Sequence, residues 1–553
     1  MKYALVLPSG FLCRMQRYLF DPNGHEYSCY ICAGAAQQGQ RVKLLGRRLI
    51  LPDKKLDYEF TSSASCKPNL FFLETVLFDA PKENDLIRTN LSIIDIHSHP
   101  FSHGDHVAFS STDDEWQRGS AEYFFKVRKY QGFYCYLVFG SGGAFDGRVW
   151  YLDERNEKLT YRSLDEIIVL DYPYRRWMNV NRKTTARLSS ASTHMLDRQI
   201  LAFGKEGQIM LSGITAVIVG VGGLGSILAE GLARLGVSRF ILVDMDDAEI
   251  SNLNRFMGMT FSDAKSQISK VAIIMREILN INPNAEVEPI HDSVLKPEVL
   301  QRIKMADIVV LSTDNLRSRA CTHELCLQYG IPLFSTGTVI NADPKTGRIQ
   351  DLVGEYQVVI PGQDGGCLYC TQTLDSREVS YLLSATEVQQ EGQARGYVNL
   401  PGFHQPAVRP LNGAVADMAL SEIHNYFCGF KEEMTEGMIY DQKRNLLHRR
   451  EFCRKTFDQN INGEWVEGWV KPGEIQLTIN GQEYCHETWD RDFPGPEEIT
   501  APGQPCSDFL QNILQTLLCP LIRRNWDDKK NCPHCGEKGI VGRGDNEPMT
   551  DYS

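Results

Sequence analysis

Several features are scarce or absent in this sequence, and each absence excludes a class of protein. No run reaches about 18 consecutive apolar residues, which argues against a transmembrane helix. The 58 lysines and arginines are outnumbered by 70 aspartates and glutamates, and the net charge of −12 argues against sequence-independent nucleic-acid binding. Only 16 of 553 residues are cysteine, too few for a disulfide scaffold. The opening segment MKYALVLPSGF lacks the pattern of a signal peptide, so we expect a cytoplasmic protein.

The remaining composition is that of a globular protein with several domains. Hydrophobic residues make up 42% of the chain and charged residues 23%, close to the average of soluble proteins. Turn signals and shifts in composition divide the chain into four regions. We predict an α+β domain over 1–165, a polar and basic linker over 166–190, an α/β domain over 191–430, and a C-terminal extension over 431–553.

The α/β domain alternates short apolar runs with helical patterns. Residues 215–219 (TAVIV) are largely β-branched and end in glycines, and apolar residues follow with helical spacing over 224–235. Further buried strands are predicted over 240–243, 308–311 and 331–334. Strands separated by helices indicate a parallel sheet in a doubly wound, Rossmann-like fold.

A metal site is predicted in the first domain. The apolar strand of IIDIHSHP runs directly into His97 and His99, and residues i and i+2 of a strand point to the same side. The downstream segment FSSTDD offers Asp113 as a carboxylate ligand. Two imidazoles and one carboxylate form an open zinc site, in which the metal makes a bound water acidic. Such a site also needs a proton shuttle that is not a ligand, and Glu26 in HEYSCYICAG is a candidate.

These residues resemble the JAB/JAMM (MPN+) metalloproteases, which carry an upstream Glu, then H-S-H-P, then S-x-x-D. The resemblance implies hydrolysis of a peptide or isopeptide bond after the C-terminal glycine of a ubiquitin-like protein. It implies that His97, His99 and Asp113 bind zinc, that Glu26 is the general base, and that Ser110 stabilises the oxyanion. The ten residues between His99 and Ser110 are more than the family pattern has. The alternatives are Asp114 for Asp113, Ser111 for Ser110, and Glu59 or Glu74 for Glu26.

A nucleotide site is predicted in the second domain. The motif G-x-G-x-x-G begins at Gly220 and lies between a strand and a helix, where glycines allow phosphate to approach the helix N-terminus. Asp244 follows at the end of the next strand, where it could bind ribose hydroxyls. A triphosphate also needs cations and a magnesium-binding carboxylate. Arg255 and Lys270 can supply the cations, and Asp314 in LSTDNLRSR can supply the carboxylate.

This region resembles the ThiF/MoeB/E1 family, which activates ubiquitin-like proteins. The matching segments are LDRQI, GVGGLG, VDMD, SNLNR, Lys270 and T-D-N-x-x-x-R, in the family's order over about 191–430. The resemblance implies adenylation of a C-terminal glycine carboxylate by ATP and Mg²⁺. It implies that Asp314 holds magnesium, that Lys265 is the alternative to Lys270, and that Arg198 reaches the nucleotide of the other subunit in a homodimer. The implied nucleotide contacts are Gly222, Gly223, Asp244, Asn252, Arg255, Lys270 and Asn315.

Four cysteines are predicted to hold a second, structural zinc ion. Cys367 and Cys370 form one C-x-x-C pair, and Cys532 and Cys535 form another in NCPHCGEK. Four thiolates close a tetrahedral site. The long separation of the pairs predicts an insertion over roughly 440–525.

Together the two resemblances predict a bifunctional enzyme acting on the tail of a ubiquitin-like protein. Fusions of this kind resemble prokaryotic ubiquitin-like modification systems, which implies an E2-like partner and a role in antiviral defence. One alternative is a sulfur-carrier activator of the thiamine or molybdopterin type, in which the JAB-like domain processes the carrier. Another is a JAB-like domain without catalysis that only docks the carrier. We expect no nucleic-acid or membrane partner.

Overall fold

The computed structural model describes residues 1–74, 92–102, 106–130, 132–153, 158–181, 194–343, 346–361, 368, 373–374 and 406–450, together with the backbone of four short strands between 456 and 486. Within these residues the chain builds two large sheets. The first sheet carries the predicted metal ligands, and the second carries the predicted nucleotide motif.

The first sheet has nine strands within the described residues, in the order β11-β10-β1-β3-β2-β6-β7-β8-β9. Strand β1 is parallel to β3 and β10, β6 is parallel to β7, and the other neighbours are antiparallel. The bounds are β1 Lys2–Pro8, β2 Ser28–Gln38, β3 Arg41–Ile50, β6 Ser92–His99, β7 Tyr134–Gly140, β8 Phe145–Asp153, β9 Lys158–Ser163, β10 Glu166–Leu170 and β11 Arg175–Met178, with a separate hairpin of β4 Tyr58–Thr61 and β5 Cys66–Pro68.

Helices cover this sheet and bury its apolar strands. Helix α1 (Ser9–Leu19) and helix α2 (Ser111–Glu122) follow β1 and β6 along the chain, and a π-helical segment Tyr123–Val127 continues α2. Seven of the eight residues of β6 are buried, because the strand lies between two apolar clusters. This buried position fixes the direction of the histidines at its end.

The start of the predicted linker is wrong. Residues 166–178, assigned to the linker over 166–190, form β10 and β11 of the first sheet. The run EIIVL of β10 is buried throughout and pairs in parallel with β1, so its apolar character outweighs the polar residues that follow it. Residues 182–190 lie outside the described part of the chain.

The second sheet has eight strands within the described residues, in the order β14-β13-β12-β15-β16-β17-β18-β19. The first five are parallel and the last three are antiparallel additions, which confirms the predicted Rossmann-like α/β fold. The bounds are β12 Thr215–Val219, β13 Arg239–Val243, β14 Glu286–Ile290, β15 Ile308–Leu311, β16 Leu333–Ala342, β17 Ile349–Val359, β18 Gly437–Asp441 and β19 Leu446–Arg449. The helices are α3 Asp197–Phe203, α4 Lys205–Ser212, α5 Gly225–Arg234, α6 Phe261–Lys265, α7 Lys270–Ile281, α8 Pro297–Ile303, α9 Leu316–Tyr329 and α10 Arg409–Cys428, with a 3-10 turn Ile250–Asn252.

This sheet continues past residue 430, where we predicted that the α/β domain ends. Strand β18 pairs with β17, and β19 pairs with β18. The hairpins β20 Thr456–Gln459 with β21 Trp465–Gly468, and β22 Ile475–Ile479 with β23 Gln482–His486, follow along the chain. The predicted insertion over 440–525 and the last C-x-x-C pair fall largely outside the described residues.

A buried joint connects the two sheets. Lys43 on β3 donates a hydrogen bond to the carbonyl oxygen of Ala306, with 2.7 Å between Nζ and O. Arg176 on β11 lies 3.4 Å from Asp307, which immediately precedes β15. The backbone N–H of Tyr174 donates to Tyr426 at the end of α10, at 2.8 Å. The apolar residues of both sheets form one continuous core around this joint.

In the part of the chain that the structure describes, none of the helices combines the length and the apolar character that a bilayer-spanning segment needs.

Candidate functional site

The predicted metal ligands converge at the end of β6. The Nε2 atoms of His97 and His99 lie 3.2 Å apart. Asp113 approaches both imidazoles, with Oδ1 at 3.2 Å from His97 Nε2 and Oδ2 at 3.5 Å from His99 Nε2. Among the described residues, these three side chains form the group that could hold a metal ion. Burial lowers the pKa of His97, which favours the neutral imidazole that a metal requires.

The three side chains are spaced closely enough to share one zinc ion. Ligands bound at about 2.0–2.1 Å in a tetrahedron lie roughly 3.3 Å from one another. The two imidazole nitrogens lie 3.2 Å apart, and each lies 3.2–3.5 Å from one of the two Asp113 oxygens. Although burial opposes it, the hydrogen bonds from His97 and His99 hold the pKa of the Asp113 carboxyl well below its usual range. The donor set and its spacing therefore fit zinc.

A capping box places Asp113 in the cluster. The Oγ of Ser110 accepts a hydrogen bond from the backbone N–H of Asp113, and the Asp113 carboxylate accepts from the N–H of Ser110. This arrangement starts helix α2 and turns the carboxylate toward β6. Asp114 instead forms an ion pair with Arg148. Ser110 is the cap and also donates its hydroxyl to Asp113 at 2.8 Å, while its role at an oxyanion stays a prediction.

Glu26 is the carboxylate beside this cluster. Its Oε1 lies 3.9 Å from Nε2 of His99, and only 5% of the residue is exposed. Burial raises the pKa of Glu26 to about 7, although His99 opposes the shift. The rival carboxylates are engaged elsewhere: Glu59 pairs with Lys67, and Glu74 pairs with Arg128 and accepts from Tyr123.

The glycine motif lies at the carboxyl end of β12 and lines a cavity of about 970 Å³. Gly220 has a φ of +87°, and a Cβ there would lie 2.6 Å from the backbone nitrogen of Thr313. At Gly225 a Cβ would lie 1.9 Å from the carbonyl oxygen of Gly220. The loop therefore tolerates only glycine at these two positions. The N–H of Val221 donates to Asp244 at 2.7 Å, which ties the loop to the end of β13.

Charged side chains of both signs line this cavity. Arg255 and Lys270 supply positive charge, and Asp314 lies on the loop after β15. The Nζ of Lys270 lies 2.7 Å from Oδ2 of Asp246. Burial raises the pKa of Asp244, although Lys270 opposes the shift. Cations, a carboxylate and a glycine loop at one strand edge are the components of a nucleotide phosphate site.

The structure separates the predicted nucleotide contacts into two groups. Those that line the cavity are Gly222, Gly223, Asp244, Arg255, Lys270, Asp314 and Asn315. Asn252 and Arg198 lie outside its lining. The Asn252 side chain is buried and accepts from the N–H of Glu249 at 3.1 Å, which is a structural contact. Arg198 lies exposed on α3, so a reach into another subunit stays a prediction. Lys265 ends the short helix α6 and does not line the cavity, which favours Lys270.

Two cavity residues were not predicted from the sequence. Arg319 lies one helical turn after Asn315 on α9 and donates to Ser335 and to the carbonyl oxygen of Thr336. Its place in the T-D-N-x-x-x-R segment was the available signal. Asn412, in the first turn of α10, comes from a part of the chain far from every motif, and no local pattern indicates it.

The predicted cysteine site lies outside the described residues. Cys367, Cys370, Cys532 and Cys535 all fall there, so the second zinc site stays a prediction. Cys428 ends α10 half-buried, and burial raises its pKa to about 11. A thiol of that pKa is a poor nucleophile at neutral pH.

Comparison with known proteins concerns the second sheet. A profile of the ThiF family matches residues 196–462. These residues carry a ThiF/E1-like domain. The match covers every strand of the second sheet, so the glycine loop and the cavity belong to this ThiF/E1-like domain. The first sheet precedes the matched residues, so the interpretation of its metal cluster depends on the geometry of that cluster.

Individual relatives differ in what they act on. The tRNA threonylcarbamoyladenosine dehydratase of Bacillus subtilis is 35% identical over 161 residues, covering 29% of this chain and 63% of that protein. Ubiquitin-like modifier-activating enzyme 5 of Drosophila willistoni is 28% identical over 329 residues, covering 54% of this chain and 73% of that protein. The SAMP-activating enzyme E1 of Haloferax volcanii is 30% identical over 184 residues, covering 33% of this chain and 62% of that protein. The chain thus spans less than two thirds of the first and third of these relatives.

Among solved structures, E. coli MccB with ATP is similar at a TM-score of 0.36 and 19% identity, covering 49% of this chain and 73% of that one.

Proposed function

We propose that the ThiF/E1-like domain adenylates the C-terminal glycine of a small ubiquitin-like protein with ATP. The observation that carries this proposal is the cavity at the carboxyl end of β12, where the glycine loop, Arg255, Lys270 and Asp314 meet. Both reactants are anionic, because a carboxylate must approach a triphosphate. Arg255 and Lys270 offset that repulsion, and Asp314 would hold Mg²⁺ with the nucleotide.

ATP–pyrophosphate exchange tests this function. The purified protein is incubated with Mg-ATP, labelled pyrophosphate and a candidate carrier that ends in Gly-Gly. Exchange that requires the carrier supports adenylation. An exchange rate that is the same with and without the carrier contradicts it. A carrier lacking the last glycine is the matched control. Since one relative is a tRNA-modifying dehydratase, tRNA is tested in the same assay as an alternative acceptor.

We also propose that the first domain hydrolyses the bond that follows the same glycine. A bound zinc ion would supply a Lewis acid and lower the pKa of the attacking water. His97, His99 and Asp113 would hold it, and Glu26 lies close enough to accept the water's proton and return it to the leaving amine. A carrier extended beyond its glycine, or joined to a lysine, is the substrate for the test. Retained zinc with no cleavage of either substrate would favour a docking module.

The fate of the adenylate separates two versions of this function. A carrier that is attached to the enzyme and released by added thiol indicates conjugation through a thioester, with transfer to an E2-like protein. A carrier whose mass rises by one sulfur indicates a sulfur-carrier pathway. The raised pKa of Cys428 argues against that residue as the thioester cysteine. Intact mass measured without reductant distinguishes the two.

A homodimer is part of the proposal because Arg198 lies exposed on α3, away from the cavity of its own chain. Mixing Arg198→Ala protein with Lys270→Ala protein tests it. Recovery of exchange in the mixture supports a site shared between subunits, and additive residual rates contradict it.

A further inference from the structure

Asn412 is a buried amide at the junction of two halves of the cavity. It lies in the first turn of α10 and only 3% of it is exposed. The Thr338 hydroxyl on β16 donates to its Oδ1, with 3.2 Å between the oxygens. Both residues line the cavity. A buried amide needs partners for its N–H groups as well as for its oxygen.

The Nδ2 atom of Asn412 faces the glycine loop. It lies 2.9 Å from the position that a Cβ on Gly223 would take, and the Cγ and Cδ of Arg255 lie 2.8 and 2.9 Å from the same position. The amide and the arginine side chain therefore meet over one glycine. Because Thr338 occupies Oδ1, the amide is oriented with its N–H groups toward the loop.

The helix that carries Asn412 adds to the positive potential there. Helix α10 has 20 residues, and its N-terminal end lies at the cavity. The first backbone N–H groups of a helix lack partners within it, and its dipole favours anions. A helix end alone would not define a site. Here it coincides with a buried side-chain donor directed into the same cavity.

The surroundings of Asn412 indicate which anion would fit beside it. One part of the cavity lining is formed by the predicted nucleotide contacts, which include Gly223, Asp244 and Lys270. Another part is formed by the paired strands β16 and β17, through Gly337, Thr338 and Gly354. At Gly354 a Cβ would lie 2.3 Å from Val415, so α10 packs directly against the backbone of β17 at this point. Asn412 contacts Thr338 in the second part of the lining and approaches Gly223 in the first. This is the place where an acceptor carboxylate would meet the α-phosphate.

We infer that Asn412 binds and orients the terminal carboxylate of the acceptor for attack on the α-phosphate of ATP. This inference rests on the proposed adenylation. In that step a carboxylate oxygen forms a bond to the α-phosphorus. The bond from this phosphorus to the oxygen that bridges to the β-phosphate breaks, and pyrophosphate leaves with the electron pair. The Asn412 amide donates to the other carboxylate oxygen, which holds the attacking oxygen in line.

The test compares Asn412→Ala and Asn412→Asp in ATP–pyrophosphate exchange with a carrier ending in Gly-Gly. Loss of one oriented donor lowers kcat/KM for the carrier by about 100-fold. Asn412→Asp places a carboxylate against the carrier's carboxylate and lowers it further. The dissociation constant of a fluorescent ATP analogue stays within about twofold for Asn412→Ala, since the nucleotide contacts remain. Asn341→Ala, an exposed asparagine on β16, is the matched control and retains wild-type exchange.

Three outcomes distinguish a failure of the Asn412 inference from a failure of the proposed adenylation. Wild-type kcat/KM for the carrier in both variants overturns the role of Asn412 and leaves the proposed adenylation standing. A wild-type protein that shows no carrier-dependent exchange overturns the adenylation and this inference with it. If Asn412→Ala lowers the melting temperature or loses nucleotide binding, the Thr338→Val variant tests the role of Asn412 instead. Thr338→Val removes the hydroxyl that orients the Asn412 amide, so the amide can rotate. A reduced kcat/KM for the carrier at unchanged nucleotide affinity then supports the role of Asn412, and an unchanged kcat/KM overturns it.

Discussion

The metal cluster and the nucleotide cavity both lie at the carboxyl end of a buried strand, yet they are assembled differently. The metal cluster takes all three ligands from residues 97–113, on one strand and the helix that follows it. The cavity takes its lining from residues 219 to 412, on strands and helices throughout the second sheet. Sites built from one short segment are visible in sequence, whereas sites built from distant segments are visible only in part.

The two sites also differ in charge. In the metal cluster the carboxylates of Asp113 and Glu26 lie beside two imidazoles, a set of side chains that suits a cation. In the cavity, Arg255, Lys270 and the end of α10 supply positive potential for an anion. Changes in one site should therefore leave the other intact.

The largest expected effect is that of His97→Ala on zinc. Two remaining ligands do not hold zinc tightly, so we expect the zinc attributable to this domain to fall to near zero and cleavage to vanish. Metal analysis of the purified protein measures it, and binding of a fluorescent ATP analogue should not change. His106→Ala, outside the cluster, is the control, and equal zinc loss in both variants would contradict the ligand assignment.

Glu26→Gln should separate metal binding from catalysis. The variant keeps the shape of the side chain but cannot accept a proton, so cleavage should fall by about 10²–10⁴-fold. Zinc content should match the wild type, because Glu26 is not among the three ligands. Glu59→Gln is the control, since Glu59 pairs with Lys67. Full activity in Glu26→Gln would reject Glu26 as the base.

Lys270→Ala should change the activity of the nucleotide cavity and leave the metal cluster unchanged. Removing a cation that faces the phosphates should lower ATP–pyrophosphate exchange by about 10²–10³-fold. Lys265→Ala removes the same charge outside the cavity lining and should retain most of the activity. Zinc content and cleavage should be those of the wild type in both variants. A larger loss for Lys265→Ala would reverse the assignment.

Asp307→Asn tests whether the joint links the stability of the two sheets. Asp307 accepts from the N–H of Thr215 at 2.8 Å and is one of two buried carboxylates that face Arg176, the other being Glu166. The variant therefore removes part of the charge that compensates the guanidinium, and we expect a loss of about 1.5–3 kcal/mol in the free energy of unfolding, measured by denaturant titration. Asp351→Asn, on the exposed end of β17, is the control and should change it little.

The same variant has a defined pH dependence. Although burial opposes it, Arg176 and Lys43 hold the pKa of the Asp307 carboxyl below its ordinary value. The stabilisation is therefore complete above about pH 4, the pKa of an unfolded aspartate, and is lost as the pH falls further. The difference in stability between wild type and Asp307→Asn should narrow in that acid range. A constant difference would contradict the ionised Asp307.

The smallest expected effect is that of Ser110→Ala. Losing the cap of α2 should cost about 1 kcal/mol of stability. It also releases the Asp113 carboxylate, so zinc affinity should fall by about 10–100-fold without being abolished. Competition with a chelator measures this change. Ser111→Ala, at the next position, is the control and should keep wild-type affinity.

The sequence predicted those parts of the fold and sites that depend on local spacing. Histidines two apart on an apolar strand and glycines between a strand and a helix both impose their own geometry. Asn412 could not be predicted this way, because its contacts with Thr338 and Gly223 arise only when α10 packs on the sheet. Asn252 was predicted to contact phosphates; its Oδ1 accepts from Glu249 in its own turn, and the phosphate contact stays a prediction. The early strand β10 was missed because the polar segment after it dominated the composition.

The joint between the sheets lies away from both candidate sites. Fourteen residues of α10 separate Asn412 at the cavity from Tyr426 at the joint, which corresponds to about 21 Å. Strand β2 pairs with His97 at Ser28 and with Lys43 at Ala36, and these eight residues span about 26 Å. Each site thus lies about 20–26 Å from the joint along one element. None of the joint side chains belongs to the metal cluster or to the cavity lining, so the joint holds the two sheets together without taking part in either site.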